Sequence, residues 1–442
     1  MLRSFRLTNH RSFRREHELL LTPSYSNDRE VVPVAAVLGA NASGKSNLLD
    51  GLRLMSTLVR GWGDREPGSG IPRAPFRLEP ASLLEPTSFA VELVLNGVLY
   101  NYGCVVHDDR VGSEWLHSYP HGRRRVLFER EGASIDFGAT VTQRTRAEVI
   151  EDLLTDDALF LSVAARLKLD QYQPVADWFR RSLVFVRPGR MGIAMMSGGE
   201  RLARFIERSS AARTEFLNLA RAADVGISDV AAEYIEDPRA SEQAVMLVEE
   251  TAELQRELAR SEPSEQEDLK QRLAQAQSRA ILLRERSRRV KLLLRHSNTW
   301  FELGDESEGT RLWLYCLPDV ITGLEVGRTL VIDEIDSSLH PLLVRKLVEL
   351  FRNPDLNVGG AQLVFTTHDP FLLAPVAGEP GVERDQVWFV EKQPDGTSEL
   401  YPLTDFKPRN EHNLARRYLG GAYGAIPILD GFELLRAPVT AE

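Results

Sequence analysis

The period of the apolar positions changes several times along the chain, and each change marks an element. VVPVAAVLG at 31 to 39 is an unbroken apolar, β-branched run, the pattern of a strand buried on both faces. SNLLDGLRLMSTLVR at 46 to 60 then takes up the helical spacing of a segment packed on a sheet. Before them, MLRSFRLTNHRSF alternates like an edge strand. After them, GWGDREPGSGIPRAPF at 61 to 76 is rich in proline and glycine and reads as a surface loop. TSFAVELVLNGVLYNYGCVVH alternates through Asn96-Gly97, which predicts a hairpin, and RVGSEWLHSYPHGRRRVLFERE extends it as a meander turning at His121-Gly122. The three arginines Arg123, Arg124 and Arg125 fit a solvated hairpin end.

From 145 to 223 the pattern is mostly helical. A strand, GISDVAAEYIED, leads into two charged helical stretches within 241 to 288, broken at Ser261, Pro263 and Ser264, with leucines near heptad spacing. Helices of about twenty residues give an arm of about 30 Å. A projecting antiparallel hairpin and a pair laid flat on the body both fit that pattern. RVKLLLRHSNTWFEL resumes strand character, TLVIDE at 329 to 334 and LVFTTHDPFLL at 363 to 373 are further buried strands, and 386 to 403 reads as a plain hairpin around Asp395-Gly396.

The chemistry sits where these strands end. GANASGKS at 39 to 46 joins the first buried strand to its helix. Gly39 and Gly44 let the backbone curl until its N–H groups face a nucleotide's phosphates, Lys45 adds charge at the β and γ phosphates, and Ser46 supplies a hydroxyl for Mg²⁺. Gly39, Asn41, Ser43, Gly44, Lys45, Ser46 and Asn47 form the expected nucleotide-binding set, with the helix N-terminus behind them. The strand at 329 to 334 ends in two carboxylates, as metal-assisted hydrolysis requires: Asp333 for the Mg²⁺ shell and Glu334 as general base. Asp336 follows closely enough to bridge to a neighbouring active site. His368, at the exit of the next apolar strand, is placed to sense the γ phosphate or the attacking water. His340, before Pro341, is explained equally well as a turn residue.

ATPases that share nucleotide between two copies need a Ser-x-Gly turn opening a helix. Two candidates exist. MSGGE at 196 to 200 spells the more familiar sequence, but Ser197 lies 136 residues ahead of Asp333. Ser307 lies 26 residues ahead, with a helix-forming run between, so Ser307 and Gly309 take the signature role and Ser197 is expected as a helix N-cap.

Composition adds limits. Lys and Arg number 54 against 64 Asp and Glu, a net charge of −10, so no global basic field advertises nucleic acid. The two cysteines, Cys104 and Cys316, are too few and too far apart for a disulfide framework or a zinc site, which suits a reducing cytosol. No run reaches the roughly eighteen apolar residues of a membrane span, and the start lacks an apolar signal core, so a cytoplasmic location without membrane partners is expected.

Jointly, NASGKSNLL, PFRLEP, AVELVLNGVLYNYG, EWL with RRRVLFER, DESEGT, LVIDEIDSSLHP, FTTHDPFLL and NLARRYLGGAYGAIP resemble the AbiL-like (AbiLi) abortive-infection ATPases, compact relatives of the SMC and OLD-type ABC ATPases. The likeness is weakest over 130 to 300. It implies an α/β ABC/SMC-type head with a mixed sheet, an antiparallel β lobe, a helical insertion and a short helical hairpin arm. It also implies ATP and Mg²⁺ as cofactors, ATP-dependent self-association as a homodimer or higher, and an anti-phage role controlling a separate effector, a nuclease or toxin. An SMC-like DNA-binding ATPase is the alternative, which keeps DNA as a partner to test. The usual glutamine loop has no clear counterpart, since the first glutamine after Lys45 is Gln143. OLD-type members carry a C-terminal nuclease, whereas the 74 residues after His368 hold no acidic constellation suited to a two-metal cut. The expected segments are 1–140 (N-terminal head with the antiparallel lobe), 141–224 (helical lobe), 225–300 (helical hairpin arm) and 301–442 (C-terminal head).

Overall fold

A computed structural model describes residues 1–25, 29–61, 70–186, 191–223, 226–236, 238–258, 260, 266–286, 288–337, 339–376, 379–409 and 412–427. Half of the expected loop at 61 to 76, and the break at Ser261, Pro263 and Ser264, lie outside these residues. The chain divides into two compact units, the first made of Met1–Gly189 and Asp319–Glu442, the second of Arg190–Pro318. The segment 141–224 is therefore shared: helices Arg144–Leu153 and Phe160–Arg166 belong to the first unit, Met191–Glu207 and Ser210–Ala222 to the second.

The first unit holds two sheets. One is a six-stranded sheet in the order Ser398–Pro402, Val387–Lys392, Val34–Leu38, Gln362–Thr367, Thr329–Ile332, Leu183–Val186. All neighbours are parallel except the first pair, which is the hairpin at the sheet's edge. Every residue of Val34–Leu38, Thr329–Ile332 and Gln362–Thr367 is buried, as strands covered on both faces must be. The hairpin expected at 386 to 403 is present, and its strand Val387–Lys392 also pairs beside the loop-bearing strand Val34–Leu38. One expectation is corrected here. Within the stretch expected as helical, Leu183–Val186 forms the opposite edge strand; four residues are too few to show a period of their own.

The second sheet of this unit is antiparallel and seven-stranded, in the order His17–Leu20, Leu2–Thr8, Thr87–Leu95, Val98–Val106, Val111–Tyr119, Arg125–Glu131, Ser134–Phe137. Asn96 and Gly97 turn the first hairpin of the meander with φ of 51° and 73°, the paired left-handed conformation such a turn demands. The opening strand Leu2–Thr8 is not an edge, since it pairs on both sides, with His17–Leu20 and with Thr87–Leu95. Helix Lys45–Gly61 buries Leu48, Leu49, Leu52, Met55 and Val59 in one continuous core with Phe5, Phe89 and Val91 of the antiparallel sheet and Val37, Val331 and Val364 of the parallel one. That shared core fixes the start of the helix against the ends of the parallel strands.

The same core is pinned by a buried acid. Glu114 accepts the main-chain N–H groups of Phe160 at 2.6 Å and Leu161 at 3.0 Å and the Tyr102 hydroxyl at 3.0 Å, joining the meander to helix Phe160–Arg166. Burial pushes its carboxyl above the usual range, against the pull of those donors and of Arg130.

In the second unit, strands Ile227–Glu236, Arg288–His296 and Thr299–Glu302 form an antiparallel sheet. Helices Pro238–Leu258 and Gln266–Arg286 grow from the first two strands and meet through Leu254, Leu269 and Ala276, the helical pair that the leucine spacing predicts. Ser197 is not an N-cap: the backbone helix Met191–Glu207 runs through it. The run GIAMM ahead of it holds enough helix-forming residues to carry the ladder across the glycine pair, and Gly199 lies close to Val290 and Leu292 of the neighbouring strand. The N-cap geometry belongs instead to Ser307, whose Oγ accepts the Thr310 N–H at 3.1 Å at the start of helix Glu308–Val326.

Candidate functional site

The loop 39 to 46 leaves the C-terminal end of Val34–Leu38, between two parallel neighbours, and enters helix Lys45–Gly61. Ligands of open α/β sheets bind at that end of the strands. Gly44 has φ of 117°, and Ala42 is also left-handed at 61°. A side chain at Gly44 would overlap Ser398 and come within 2.8 Å of Ser12 Oγ; one at Gly39 would overlap the Val390 carbonyl and come within 2.8 Å of Ser43 Oγ. Both glycines are thus required by the protein's own close-packed walls as well as by the curl of the loop.

Lys45 is buried and donates from Nζ to the carbonyls of Gly39 at 2.8 Å and Ala40 at 2.9 Å. Burial lowers its pKa, and the nearby carboxylates of Asp336, Glu334 and Asp333 oppose that shift. The lysine charge is therefore held between loop carbonyls and three acids. Among the described residues the buried Ser43 hydroxyl has no hydrogen-bond partner, an orphan that a phosphate oxygen would satisfy.

Ser46 and Asp333, far apart in sequence, meet here: Ser46 Oγ donates to Asp333 Oδ1 at 3.0 Å. The pair offers two hard oxygen donors at the helix N-terminus, the donor set suited to Mg²⁺ that also takes phosphate oxygens. Thr366, a residue the sequence reading passes over, completes the junction. Its buried hydroxyl donates to Asp333 Oδ1 at 2.6 Å and accepts the Glu334 N–H at 2.7 Å. Glu334 itself is exposed and left-handed, φ 52°, immediately after the strand. Such a backbone costs about 1 kcal/mol or more for a residue with a Cβ, and the Thr366 bond and an Ile335 N–H to Thr366 carbonyl bond of 3.1 Å hold it in place.

Asp336 meets His368. Its side chain is 6% exposed, and Oδ2 accepts the His368 main-chain N–H at 3.2 Å and pairs with His368 Nδ1 at 2.9 Å. A carboxylate can only accept, so Nδ1 carries the proton in the neutral ring and Nε2 is free to accept. The His368 side chain is 58% exposed. His340 is a helix cap: its Nδ1 accepts the Leu342 N–H at 3.2 Å at the head of Pro341–Arg352. Asn41 is exposed at the tip of the loop. Asn47 turns away from it, donating to Ser12 Oγ at 2.7 Å. Ser307 and Gly309 belong to the second unit. The sequence carries no periodic signal for Thr366, Ser12 or Ser398, since each acts through one hydroxyl rather than a pattern.

A cleft of about 820 Å³ is lined by Arg14, Arg15, His17, Phe76, Asp395 and Glu399, among others, and by none of residues 39–46. Among the described residues, no helix is long and apolar enough to cross a membrane.

No curated protein matches the chain. Similar solved structures include an SMC head bound to the C-terminal winged-helix domain of ScpA, at 14% identity over 90% of this chain and 96% of that one, TM-score 0.42. The SMC head domain from Thermotoga maritima matches at 12% identity over 91% and 98%, TM-score 0.38. An SMC head with an extended coiled coil, bound to the C-terminal domain of ScpA derived from Pyrococcus furiosus, matches at 12% identity over 95% and 99%, TM-score 0.39. With the loop, the carboxylate strand and the parallel sheet in place, and a family match spanning residues 34–176 and 200–374, the chain belongs to the P-loop ATPase family described as "AAA domain, putative AbiEii toxin, Type IV TA system".

Proposed function

We propose that this protein binds and hydrolyses Mg·ATP and that two copies close around the nucleotide to form an ATP-gated switch. The contact of Ser46, Asp333 and Thr366 carries the reading, because it joins the phosphate loop to the carboxylate strand at hydrogen-bond distance. In this scheme the loop N–H groups and Lys45 hold the β and γ phosphates, and Ser46 and Asp333 would hold Mg²⁺, which neutralises phosphate charge when bound. Glu334 takes the proton of the attacking water. His368, oriented by Asp336, accepts a hydrogen bond from that water through Nε2. Ser307 and Gly309 of a second copy supply the remaining donors to the γ phosphate, so its release opens the pair. The family description and the AbiLi-like motifs support a role in anti-phage defence, with the switch controlling a separate nuclease or toxin.

Glu334→Gln is expected to bind ATP normally, stop releasing phosphate and accumulate as a dimer by light scattering with ATP. Lys45→Ala is expected to lose nucleotide binding. Turnover per molecule that is independent of concentration and untouched by Ser307→Ala would overturn the shared site; phosphate release that survives Glu334→Gln would overturn the assignment of the base.

A further inference from the structure

The wall behind the phosphate loop is a chain of four polar side and main-chain groups from three distant segments. Asn47 Nδ2 lies 2.7 Å from Ser12 Oγ, Ser12 Oγ lies 2.7 Å from Ser398 Oγ, and Ser398 Oγ reaches the Ser43 carbonyl. Chemistry fixes the direction of every bond. The amide nitrogen of Asn47 can only donate and the carbonyl of Ser43 can only accept, so Ser12 must donate to Ser398 and Ser398 to Ser43. Each hydroxyl then gives and receives one bond, and a relay aligned in one sense polarises its members cooperatively. Ser398 is fully buried and Ser12 nearly so, and a main-chain bond from the Ser398 N–H to the Ser12 carbonyl, 2.8 Å, locks their spacing.

Both ends of this relay lie on the nucleotide loop and its helix, one residue before Gly44 and two after Lys45. Gly44 sits between them, left-handed and without room for a Cβ against Ser398 and Ser12. The loop is therefore braced across its tightest bend by a clamp whose two hydroxyls come from outside it. We infer that Ser12 and Ser398 are positioning residues that set nucleotide affinity, with Ser398 acting from a hairpin 355 residues away from Ser43. The inference rests on the reading of residues 39–46 as the ATP site. It gives the C-terminal hairpin a part in that site: the strand that carries Ser398 feels any shift of the Ser43 carbonyl when phosphate is taken up.

The test is a double-mutant cycle of Ser12→Ala and Ser398→Ala in the full chain, reading ATP affinity by fluorescent-nucleotide titration, KM and kcat by phosphate release, and folding by urea unfolding. Each single substitution is expected to weaken ATP binding roughly 10-fold, raising KM with kcat nearly unchanged. The double variant should be no worse than the single ones, since either change breaks the same relay. Folded single variants with wild-type affinity overturn the inference, as do losses that simply add. Should Ser398→Ala fail to fold, Ser12→Ala breaks the relay from the side away from the sheet and decides alone. Wild-type protein that binds no ATP overturns the nucleotide reading and this clamp together, whereas wild-type binding with indifferent variants overturns the clamp only.

Discussion

Replacing Thr366 with valine should separate nucleotide binding from turnover. The side chain is fully buried, and its hydroxyl both donates to Asp333 at 2.6 Å and accepts the Glu334 N–H at 2.7 Å. Valine keeps the shape and loses both bonds, leaving a main-chain N–H unpaired at a left-handed residue. A hydrogen bond to an ionised carboxylate is worth about 1.5–3 kcal/mol, and an ordinary one about 0.5–1.5 kcal/mol. If the charged bond is expressed in the transition state, at about 1.4 kcal/mol per tenfold the rate falls roughly 10- to 150-fold. The loop contacts do not pass through Thr366: Ser46 still reaches Asp333, and Lys45 still reaches Gly39 and Ala40. ATP affinity should therefore stay within about threefold of wild type. Thr366→Ser, which keeps the hydroxyl, should recover most of the lost rate. The assay is steady-state phosphate release at saturating Mg·ATP, with nucleotide titration and urea unfolding on the same samples. A Thr366→Val protein with wild-type kcat, or a Thr366→Ser protein as slow as the valine variant, refutes the bridging role.

Two further predictions concern the scaffold around the site. His10 is buried against Asp50 at 3.3 Å, and burial, with Arg11 and Arg53 nearby, lowers its pKa from 6.5 to about 3. The unfolded chain thus takes up the proton first, so this stabilisation is complete above pH 6.5 and is lost as pH falls toward 3, at about 1.4 kcal/mol per pH unit; His10→Asn should flatten the slope of urea stability between pH 6 and 4, and an unchanged slope excludes His10 as its source. Glu114→Ala should cost about 3–5 kcal/mol, because it leaves three buried donors unpaired and removes the counter-ion of Arg130, which keeps only its bonds to main-chain carbonyls. A shift in urea midpoint worth less than about 1 kcal/mol would mean that water replaces the acid as acceptor.

Much of this architecture is legible in the sequence where burial imposes a period. The strand 31 to 39, the turn at Asn96-Gly97 and the apolar runs before Asp333 and His368 announce themselves because buried strands and left-handed turns restrict residue choice. The approach of Ser46 to Asp333 is legible too, as two halves of one constellation. What escapes is contact between elements without a pattern. Thr366 stands in an apolar strand like any β-branched residue, and nothing in its neighbours says that its hydroxyl faces Asp333. Ser12 lies near the end of a stretch that reads as an edge strand and Ser398 begins a hairpin strand, and neither pattern says where a single hydroxyl points. Ser197 misleads for the opposite reason: a serine before two glycines looks like a helix start, yet the surrounding methionines and alanine keep the ladder going. Leu183–Val186 was too brief to register against its arginine-rich flanks.

The strand order of the parallel sheet also dictates when the site can exist during synthesis. Val34–Leu38 emerges early, but both of its neighbours, Gln362–Thr367 and Val387–Lys392, come from the far end of the chain. Until the ribosome has passed these segments, an apolar strand and its glycine loop wait with both flanks open, the long-range closure that slows folding and invites aggregation. Inserting the second unit between Gly189 and Asp319 lengthens that wait. Nascent chains halted before residue 387 should therefore lean on chaperones and lack a competent phosphate loop, however complete their first half is.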